Sequence, residues 1–359
     1  MRLTIISVAY PLAPVRRDAV GGAEQIVSLI DRGLVSRGHR SIVIACQGSS
    51  VAGELLETPR VHGCLNHAER GRMTRHYRDV LDAAVSHRQI DVVHLHGHDF
   101  DAYLPAPGVP VLATLHLPPE LIVADLERLR RPATWINGVS EVHHARLPQT
   151  PSMLPPIENG IELDDLPRHV RRREFVLALG RICPEKGFHL AIDAARLARM
   201  PLVLGGMVFS YEVHQRYFER EVLPRLDRDR RFVGALSITK RRRLLNSARC
   251  VVIPSLVEET SSLVAMEAMA CGTPVIAFAT GALPSMVEDG VTGFIVRTVE
   301  EMADAIHRVH TISSDICQAR ARTRFSVDRM VEQYLERYRW MIWQRRRRMS
   351  DVTGCSSSA

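Results

Sequence analysis

The 359-residue chain predicts an α/β protein: two successive doubly wound parallel-sheet domains followed by one long helix. Three observations carry that prediction. Strand-like apolar runs alternate with helix-periodic runs from the first residue, the pattern of parallel strands covered by crossover helices. The alternation stops in a polar, proline-rich stretch at 151–170 and then restarts. Once the second series is complete, a segment with Val327, Met330, Val331, Tyr334 and Tyr338 on one helical face is left over. The length also suits two cores of roughly 150 residues each better than one.

The elements follow in order. Residues 3–8 read as a buried strand, and Ile26, Val27, Ile30 and Leu34 recur at helical spacing after a loop. Ser41–Cys46 is a second strand, and Tyr77, Val80, Leu81, Ala84 and Val85 mark a helix. Strands at 90–95, 110–115 and 134–138 complete the first series. Pro151, Pro155, Pro156 and Pro167, with the run Arg171–Arg173, then mark a domain boundary. Beyond it come a strand at Phe175–Leu179, a helix at 188–199, a strand at 201–205, a helix at 211–223, and strands at 250–254 and 274–278. Thr298-Val299-Glu300-Glu301 has the form of a capping box. The expected domains are 1–168 and 169–325, then a helix over 326–345 and a flexible basic tail over 346–359.

Composition narrows the class of protein. Apolar residues at 46% and charged residues at 24% exclude disorder, collagen-like structure and coiled coil. The net charge of +7 points to anionic partners, whether phosphates, nucleic acid or lipid headgroups, and does not choose among them. Only Lys186 and Lys240 are lysine, so arginine supplies nearly all of the 47 basic side chains, most of them as solvated surface charge. The 7 cysteines are scattered with no C-x-x-C pair, which argues against a disulfide framework or a structural zinc site and fits a reducing, cytoplasmic compartment. The N-terminal apolar run is too short for a signal peptide. The uncharged stretch 268–287 is broken by Gly272, Pro274, Gly281 and Pro284, so it reads as helix end, strand and loop.

In doubly wound sheets ligands sit at the carboxyl ends of strands, where loops lead into helix N-termini. One such loop ends in Gly21-Gly22-Ala23-Glu24; it is not G-x-G-x-x-G, so the nicotinamide and flavin fingerprint is absent. A second, Gly180-Arg181-Ile182-Cys183-Pro184-Glu185-Lys186-Gly187, places two cations around a tight turn, where a guanidinium fork and an ammonium can reach a diphosphate. A surface turn with two solvated cations is the ordinary alternative. The scarcity of lysine shifts the balance, because one of only two is spent here.

A third feature is Glu259-Thr260-Ser261-Ser262-Leu263, with Glu267 eight positions after Glu259. The hydroxyls and free N–H groups at a helix start could hold an anion, and the carboxylates could accept hydrogen bonds from sugar or ribose hydroxyls. Capping by Thr260 or Ser261 is the ordinary alternative. The run His94-Leu95-His96-Gly97-His98-Asp99-Phe100-Asp101 imitates a metal site, but three ligands so close in one strand rarely wrap an ion, and strand-end polar residues are the preferred reading. His116 ends another strand at the same edge of the first sheet.

Taken together, these residues resemble the retaining glycosyltransferases of family 4, the glycogen-synthase-like or group 1 enzymes of the GT-B fold. The resemblance runs through Gly21-Gly22-Ala23-Glu24, Asp91–His96, Thr114-Leu115-His116, Asn159-Gly160-Ile161, Gly180-Arg181 with Lys186-Gly187, Glu259…Glu267, Asp289–Phe294 and Phe325-Ser326. It implies two Rossmann-like domains facing a cleft and a final helix crossing back onto the first. It further implies a nucleotide-diphosphate sugar donor, a UDP-sugar favoured over GDP-mannose, held mainly by the second domain. Arg181 and Lys186 would neutralise the diphosphate, Glu267 would bind ribose hydroxyls, and Glu259 would contact the transferred sugar. Ser261, Ser262 and Leu263 would line the donor pocket, Gly21 and Gly22 would close on the phosphates, and His116 would sit beside the sugar. No metal and no further cofactor is implied, nor a dedicated base, since retention is thought to use a donor phosphate oxygen to guide front-face attack. Ser261-Ser262 departs from the family's usual Phe-Gly, which bears on the shape of the sugar pocket; Ser285 replaces a commonly acidic position.

A nucleotide-sugar epimerase on the same fold is an alternative. A nucleic-acid-binding protein is another in charge alone, without a recognisable motif and with aromatics at only 5%. The Arg345–Arg348 run after Trp340 and Trp343 could touch anionic lipid, a solvated tail being the ordinary reading. The acceptor is not named by the sequence.

Overall fold

The computed structural model describes residues 1–60, 67–97, 99–121, 131–163 and 172–355. It comprises two compact units, the first being Met1–Ala19, Ala23–Glu158 and the chain from Val327 onward, the second Val20–Gly22 and Asn159–Ser326. The boundary expected at 168/169 falls within 164–171, outside the described residues, whereas the units divide at Glu158/Asn159.

The first unit is built on β1 (Thr4–Val8), α1 (Gly22–Ser36), β2 (Arg40–Cys46), β3 (Glu54–Thr58), α2 (His67–His87), β4 (Val92–Leu95), β5 (Val111–Thr114), β6 (Thr134–Asn137), α3 (Glu141–Arg146) and β7 (Met153–Leu154). Its seven strands lie in the order β3-β2-β1-β4-β5-β6-β7, every pairing parallel. Ile5 and Ile6 pair with Ser41 and Ile42 on one side and with Val92 and Val93 on the other. Such strands are buried on both faces, which is why they read as near-continuous apolar runs. The core joins Ile6, Val8, Ile42, Ile44, Tyr77 and Leu95.

The second unit continues with β8 (Val176–Arg181), α4 (Phe188–Leu197), β9 (Leu202–Met207), α5 (Glu212–Tyr217), β10 (Arg230–Phe232), α6 (Ile238–Ser247) and β11 (Cys250–Ile253). It closes with α7 (Leu263–Ala270), β12 (Val275–Phe278), α8 (Leu283–Met286), β13 (Gly293–Val296), α9 (Val299–Arg308) and α10 (Ser314–Arg324). Its sheet runs β10-β9-β8-β11-β12-β13, again all parallel. Beyond α5 the chain passes through a π turn at Phe218–Val222 and a 3₁₀ turn at Leu223–Arg225. Of the Thr298–Glu301 capping box one half forms as expected, Thr298 Oγ1 accepting the Glu301 N–H at 3.1 Å, while the Glu301 carboxylate reaches one residue further back and accepts the Arg297 N–H at 2.6 Å.

The last helix, α11, spans Val327–Cys355, so 346–355 continues it and does not form the separate flexible tail expected from the sequence; 356–359 lie outside the described residues. It buries Met330, Val331, Tyr334, Leu335, Tyr338 and Met341 in the first unit, with Trp340 edge-on to Trp135 at 5.5 Å between centroids. Among the described residues no helix is long and apolar enough to cross a membrane.

Both strand orders reverse direction once, between β1 and β4 in the first sheet and between β8 and β11 in the second. Loops leaving the carboxyl ends of two such strands diverge and leave a crevice, the place where open parallel sheets bind ligands.

Candidate active site

In the second unit the crevice is formed by the turn after β8 and the loop after β11. The turn is a single 3₁₀ element, Pro184–Lys186, closed by Gly187 at φ 61°. A Cβ at Gly187 would lie 2.2 Å from the Pro254 carbonyl oxygen, so glycine is required both for the left-handed backbone and for the close approach of the next loop. The Leu256 N–H donates to the Glu185 carbonyl at 2.8 Å, locking turn and loop together. This juxtaposition brings Lys186 Nζ to 2.5 Å from Glu259 Oε1. Ser255 Oγ donates to the same carboxylate oxygen at 2.6 Å. The Glu259 backbone is clasped as well: its carbonyl accepts the Ala282 N–H at 2.7 Å, and Gly281, at φ 54°, admits that approach because a Cβ there would fall 2.3 Å from the same oxygen.

The Lys186 side chain is 27% exposed and that of Glu259 only 9%. An ammonium has three donors, and one is committed to Glu259; the others are open to a ligand arriving from solvent. Arg181, the last residue of β8, is exposed; it bonds the Cys183 thiol and pairs with no carboxylate within ion-pair distance among the described residues. An ammonium paired with a carboxylate and a guanidinium without an ion pair, at one strand end, make a cationic rim suited to a dianion.

The helix after the β11 loop starts differently from the sequence reading. Ser262, not Thr260 or Ser261, is the N-cap of α7, its Oγ accepting the Ala265 N–H at 3.4 Å. Ser261 Oγ is buried without a hydrogen-bond partner among the described residues. Leu263 opens the helix, and Glu267 lies one turn in, 3.0 Å from Arg241 on α6. Burial pushes the Glu267 carboxyl above the usual range, while Arg241 and then Arg242 pull it back and Glu162 adds to the rise. Arg242 is itself paired with Glu162 at 3.2 Å. Glu259 and Glu267 therefore each answer a different cation, and the two carboxylates do not form an acid–base couple. Ser255 and Arg241, the residues that hold them, carried no local sequence signal.

Gly21 precedes and Gly22 opens α1; both fall in the short segment Val20–Gly22 that groups with the second unit. In the first unit His116, just past β5, is half-buried, and its Nε2 lies 3.1 Å from His96 Nδ1. The rings of His96 and His94 are 3.9 Å apart at their centroids. His94 bonds Tyr338 Oη at 2.8 Å through Nδ1 and Thr114 Oγ1 at 2.7 Å through Nε2. Thr114 Oγ1 donates to Asn137 Oδ1 at 2.8 Å and lies 3.3 Å from Tyr334 Oη. Burial pulls His94 and His96 well below the ordinary imidazole value, and burial followed by His143 brings His116 to about 3. The network is neutral at physiological pH. His94 and His96 are thus engaged with hydroxyls and with each other, in the manner of strand-end polar residues; His98 lies outside the described residues.

Comparison with known proteins adds the following. A family model described as glycosyl transferases group 1 matches residues 173–311, and one described as glycosyltransferase family 4 matches 20–164, so that between them they take in most of the chain. A D-inositol 3-phosphate glycosyltransferase of Kribbella flavida is 38% identical over 157 residues, 40% of this chain and 37% of that protein. The chain spans under half the length of the curated relatives it matches. Among solved structures, a sucrose-phosphate synthase from Thermosynechococcus elongatus superposes with a TM-score of 0.79 at 18% identity, covering 96% of this chain and 100% of that one. Anabaena HepE, solved in complex with UDP and glucose, gives a TM-score of 0.70 at 19% identity, covering 93% and 99%. These neighbours carry the GT-B fold.

Proposed function

Because the chain belongs to the group 1, family 4 class of glycosyltransferases, we propose that it moves a hexose from a nucleotide-diphosphate sugar, a UDP-sugar before GDP-mannose, to a glycan, lipid or small-molecule acceptor with retention of anomeric configuration. The observation that carries this reading is the Lys186–Glu259 pair at the reversal point of the second sheet, beside an exposed Arg181 that no carboxylate pairs among the described residues. The donor's diphosphate accepts from the free Lys186 protons and from the Arg181 fork. As the glycosidic bond breaks, charge accumulates on the leaving phosphate and both cations gain strength against it, so they stabilise the transition state more than the ground state. Glu259 accepts from hydroxyls of the transferred sugar, and its bond to Lys186 fixes the distance between the sugar and phosphate positions. Glu267 accepts from ribose hydroxyls while Arg241 opposes the rise that burial imposes on its carboxyl. Gly21 and Gly22 present backbone N–H groups to the phosphates, Ser261, Ser262 and Leu263 line the sugar pocket, and neutral His116 donates to a sugar hydroxyl.

In this chemistry the two cations carry the work a divalent ion does elsewhere, so added Mg²⁺ or Mn²⁺ leaves the initial rate unchanged. The reading is supported by relatives that are glycosyltransferases and by HepE having been solved with UDP and glucose. A thermal-shift screen of UDP, GDP and ADP, followed by nucleotide release from the matching sugar donors, tests it. Stabilisation by one diphosphate and acceptor-dependent release of it are expected; donor conversion without any acceptor would instead establish an epimerase. Proton NMR of the product tests retention. We place the enzyme in the cytoplasm, with Trp343 and Arg345–Arg347 of α11 touching anionic lipid; flotation of the full chain against one truncated at 344 tests that contact.

A further inference from the structure

We propose that Cys183, Glu185 and His214 of the second unit bind one divalent cation of the zinc class. A thiol sulfur, a carboxylate oxygen and an imidazole nitrogen from these three residues all lie within 4.8 Å of one another, the one such triple among the described residues. Cys183 and Glu185 flank Pro184 in the turn after β8, and His214 comes from α5, 29 positions beyond Glu185 in the chain. Cys183 is fully buried and His214 is 8% exposed, whereas Glu185 faces solvent.

The second observation is independent of that clustering. His214 Nδ1 is buried and has no hydrogen-bond partner among the described residues. A buried imidazole normally anchors its nitrogens, because an unmade bond there costs the full desolvation of the group. The ring is held between aromatic neighbours, edge-on to Tyr211 at 5.2 Å and to Phe209 at 6.3 Å, and so is oriented without a hydrogen bond. The Cys183 thiol is engaged only within its own turn, with the Arg181 carbonyl at 3.4 Å, the Arg181 guanidinium and the Glu185 carboxylate, so thiol and carboxylate already face each other across one proton. A metal ion would take the place of the proton between thiol and carboxylate and add a ligand for the imidazole.

The donor set selects the metal. One sulfur, one imidazole nitrogen and one carboxylate oxygen suit Zn²⁺ or Co²⁺, and exclude Mg²⁺ and Ca²⁺, which take oxygen ligands. Three protein ligands leave a fourth tetrahedral position to water on the exposed Glu185 side. Binding converts the Cys183 thiol to a thiolate and releases its proton to solvent, so uptake strengthens as pH rises.

The consequence concerns Lys186, the neighbour of Glu185. A metal spanning the turn and α5 pins the backbone that aims Lys186 at Glu259, and it lies beside Arg181, whose charge acts on both Cys183 and His214. It is a positioning device, compatible with transfer chemistry that uses no metal at the phosphates, and it stands whether or not that reaction is the right one.

The test reads metal directly. The full chain is purified without chelator, its metal content is measured, and Zn²⁺ and Co²⁺ are titrated by equilibrium dialysis and absorption. About one equivalent of Zn²⁺ per chain is expected, as for a defined protein site. The Co²⁺ form should show a sulfur-to-cobalt charge-transfer band that disappears in Cys183→Ser, and His214→Asn should weaken Zn²⁺ binding at least about tenfold, the usual scale for losing a ligand-level interaction. Failure of the wild-type protein to retain Zn²⁺, or a Co²⁺ spectrum without the thiolate band, overturns the site, as does undiminished binding in both variants. Should Cys183→Ser fold poorly, the wild-type Co²⁺ spectrum and His214→Asn decide. None of these readouts involves a sugar donor, so failure here leaves the transfer reading intact and failure of transfer leaves the metal site intact.

Discussion

The two units share an architecture and differ in what they place at the same structural position. At the strand reversal of the second unit stand charged, partly exposed groups: Arg181 without an ion pair, Lys186 with Glu259, and Arg241 with Glu267. At the carboxyl ends of β4, β5 and β6 in the first unit stand neutral groups, all buried but the half-buried His116, joined by hydrogen bonds and one ring contact from His116 through His96, His94 and Thr114 to Asn137, Tyr334 and Tyr338. The parallel sheet supplies the edge in both cases. The side chains decide whether that edge takes a polyanion or orders hydroxyl and imidazole groups, which is why function follows the site and not the fold.

The largest effect that can break this contrast comes from the charged side. Lys186→Ala should lower kcat/KM for the sugar donor by about 10²–10³-fold, the usual cost of losing one preorganised group facing developing charge. Lys186→Arg should recover little, since a planar fork does not reproduce a point ammonium already bonded to Glu259. Nucleotide-release kinetics measure both, and wild-type rates in Lys186→Ala would remove the site from the second unit. Next, Glu267→Ala should cost about 10–10²-fold in kcat/KM, equivalent to one charged hydrogen bond, and should reduce the thermal shift given by the nucleotide alone.

The neutral side is tested through stability. His94, His96 and His116 have folded-state values below that of a free imidazole. On acidification the unfolded chain therefore takes up protons first, and stability that is fully present above about pH 6.5 is lost progressively as pH falls. For His116 that loss extends down to about 3. Calorimetry across this window should show the first unit melting earlier at lower pH, and His116→Gln should flatten the dependence. The smallest effect belongs to Tyr338→Phe, which leaves His94 Nδ1 without its partner and should cost about 1–3 kcal/mol, while donor binding measured by thermal shift is unchanged. A large loss of donor affinity in Tyr338→Phe would erase the distinction between the two regions.

The strands that local pattern revealed, and those it did not, divide along a physical line. The interior strands β1, β2, β4, β5, β6, β8, β9, β11 and β12 stand out as apolar runs because both faces are covered. The four that local pattern does not pick out, β3, β7, β10 and β13, are the outermost strands of the two sheets; β13 is apolar but only four residues long and follows directly on a glycine turn, whereas the other three lack a clear run. Glu54–Thr58 and Arg230–Phe232 carry charged residues and are only partly buried, and Met153–Leu154 is two residues long. An edge strand has one neighbour and a partly wet face, so its composition is that of a loop until the sheet is assembled. The terminal helix shows the same limit: its apolar face was visible, but the continuation to Cys355 passes through Arg345–Arg348, where helix propensity is good and hydrophobic periodicity absent.

The sequence by itself determined the two parallel-sheet series, the glycine-bounded turn with Arg181 and Lys186, and the Glu259…Glu267 spacing, because each is a short-range pattern of side-chain size, charge and backbone freedom. Tertiary structure alone decided the partners. Lys186 meets Glu259 because β8 and β11 are neighbours though far apart in the chain, Arg241 reaches Glu267 because α6 and α7 flank β11, and Tyr338 reaches His94 across 244 positions. It also decided that Ser262 caps α7 and that Cys183 and Glu185 meet His214. The physical reason is the crossover connection: parallel strands are joined through helices, so the residues that converge at one sheet edge come from distant segments, and only the strand order says which of them meet.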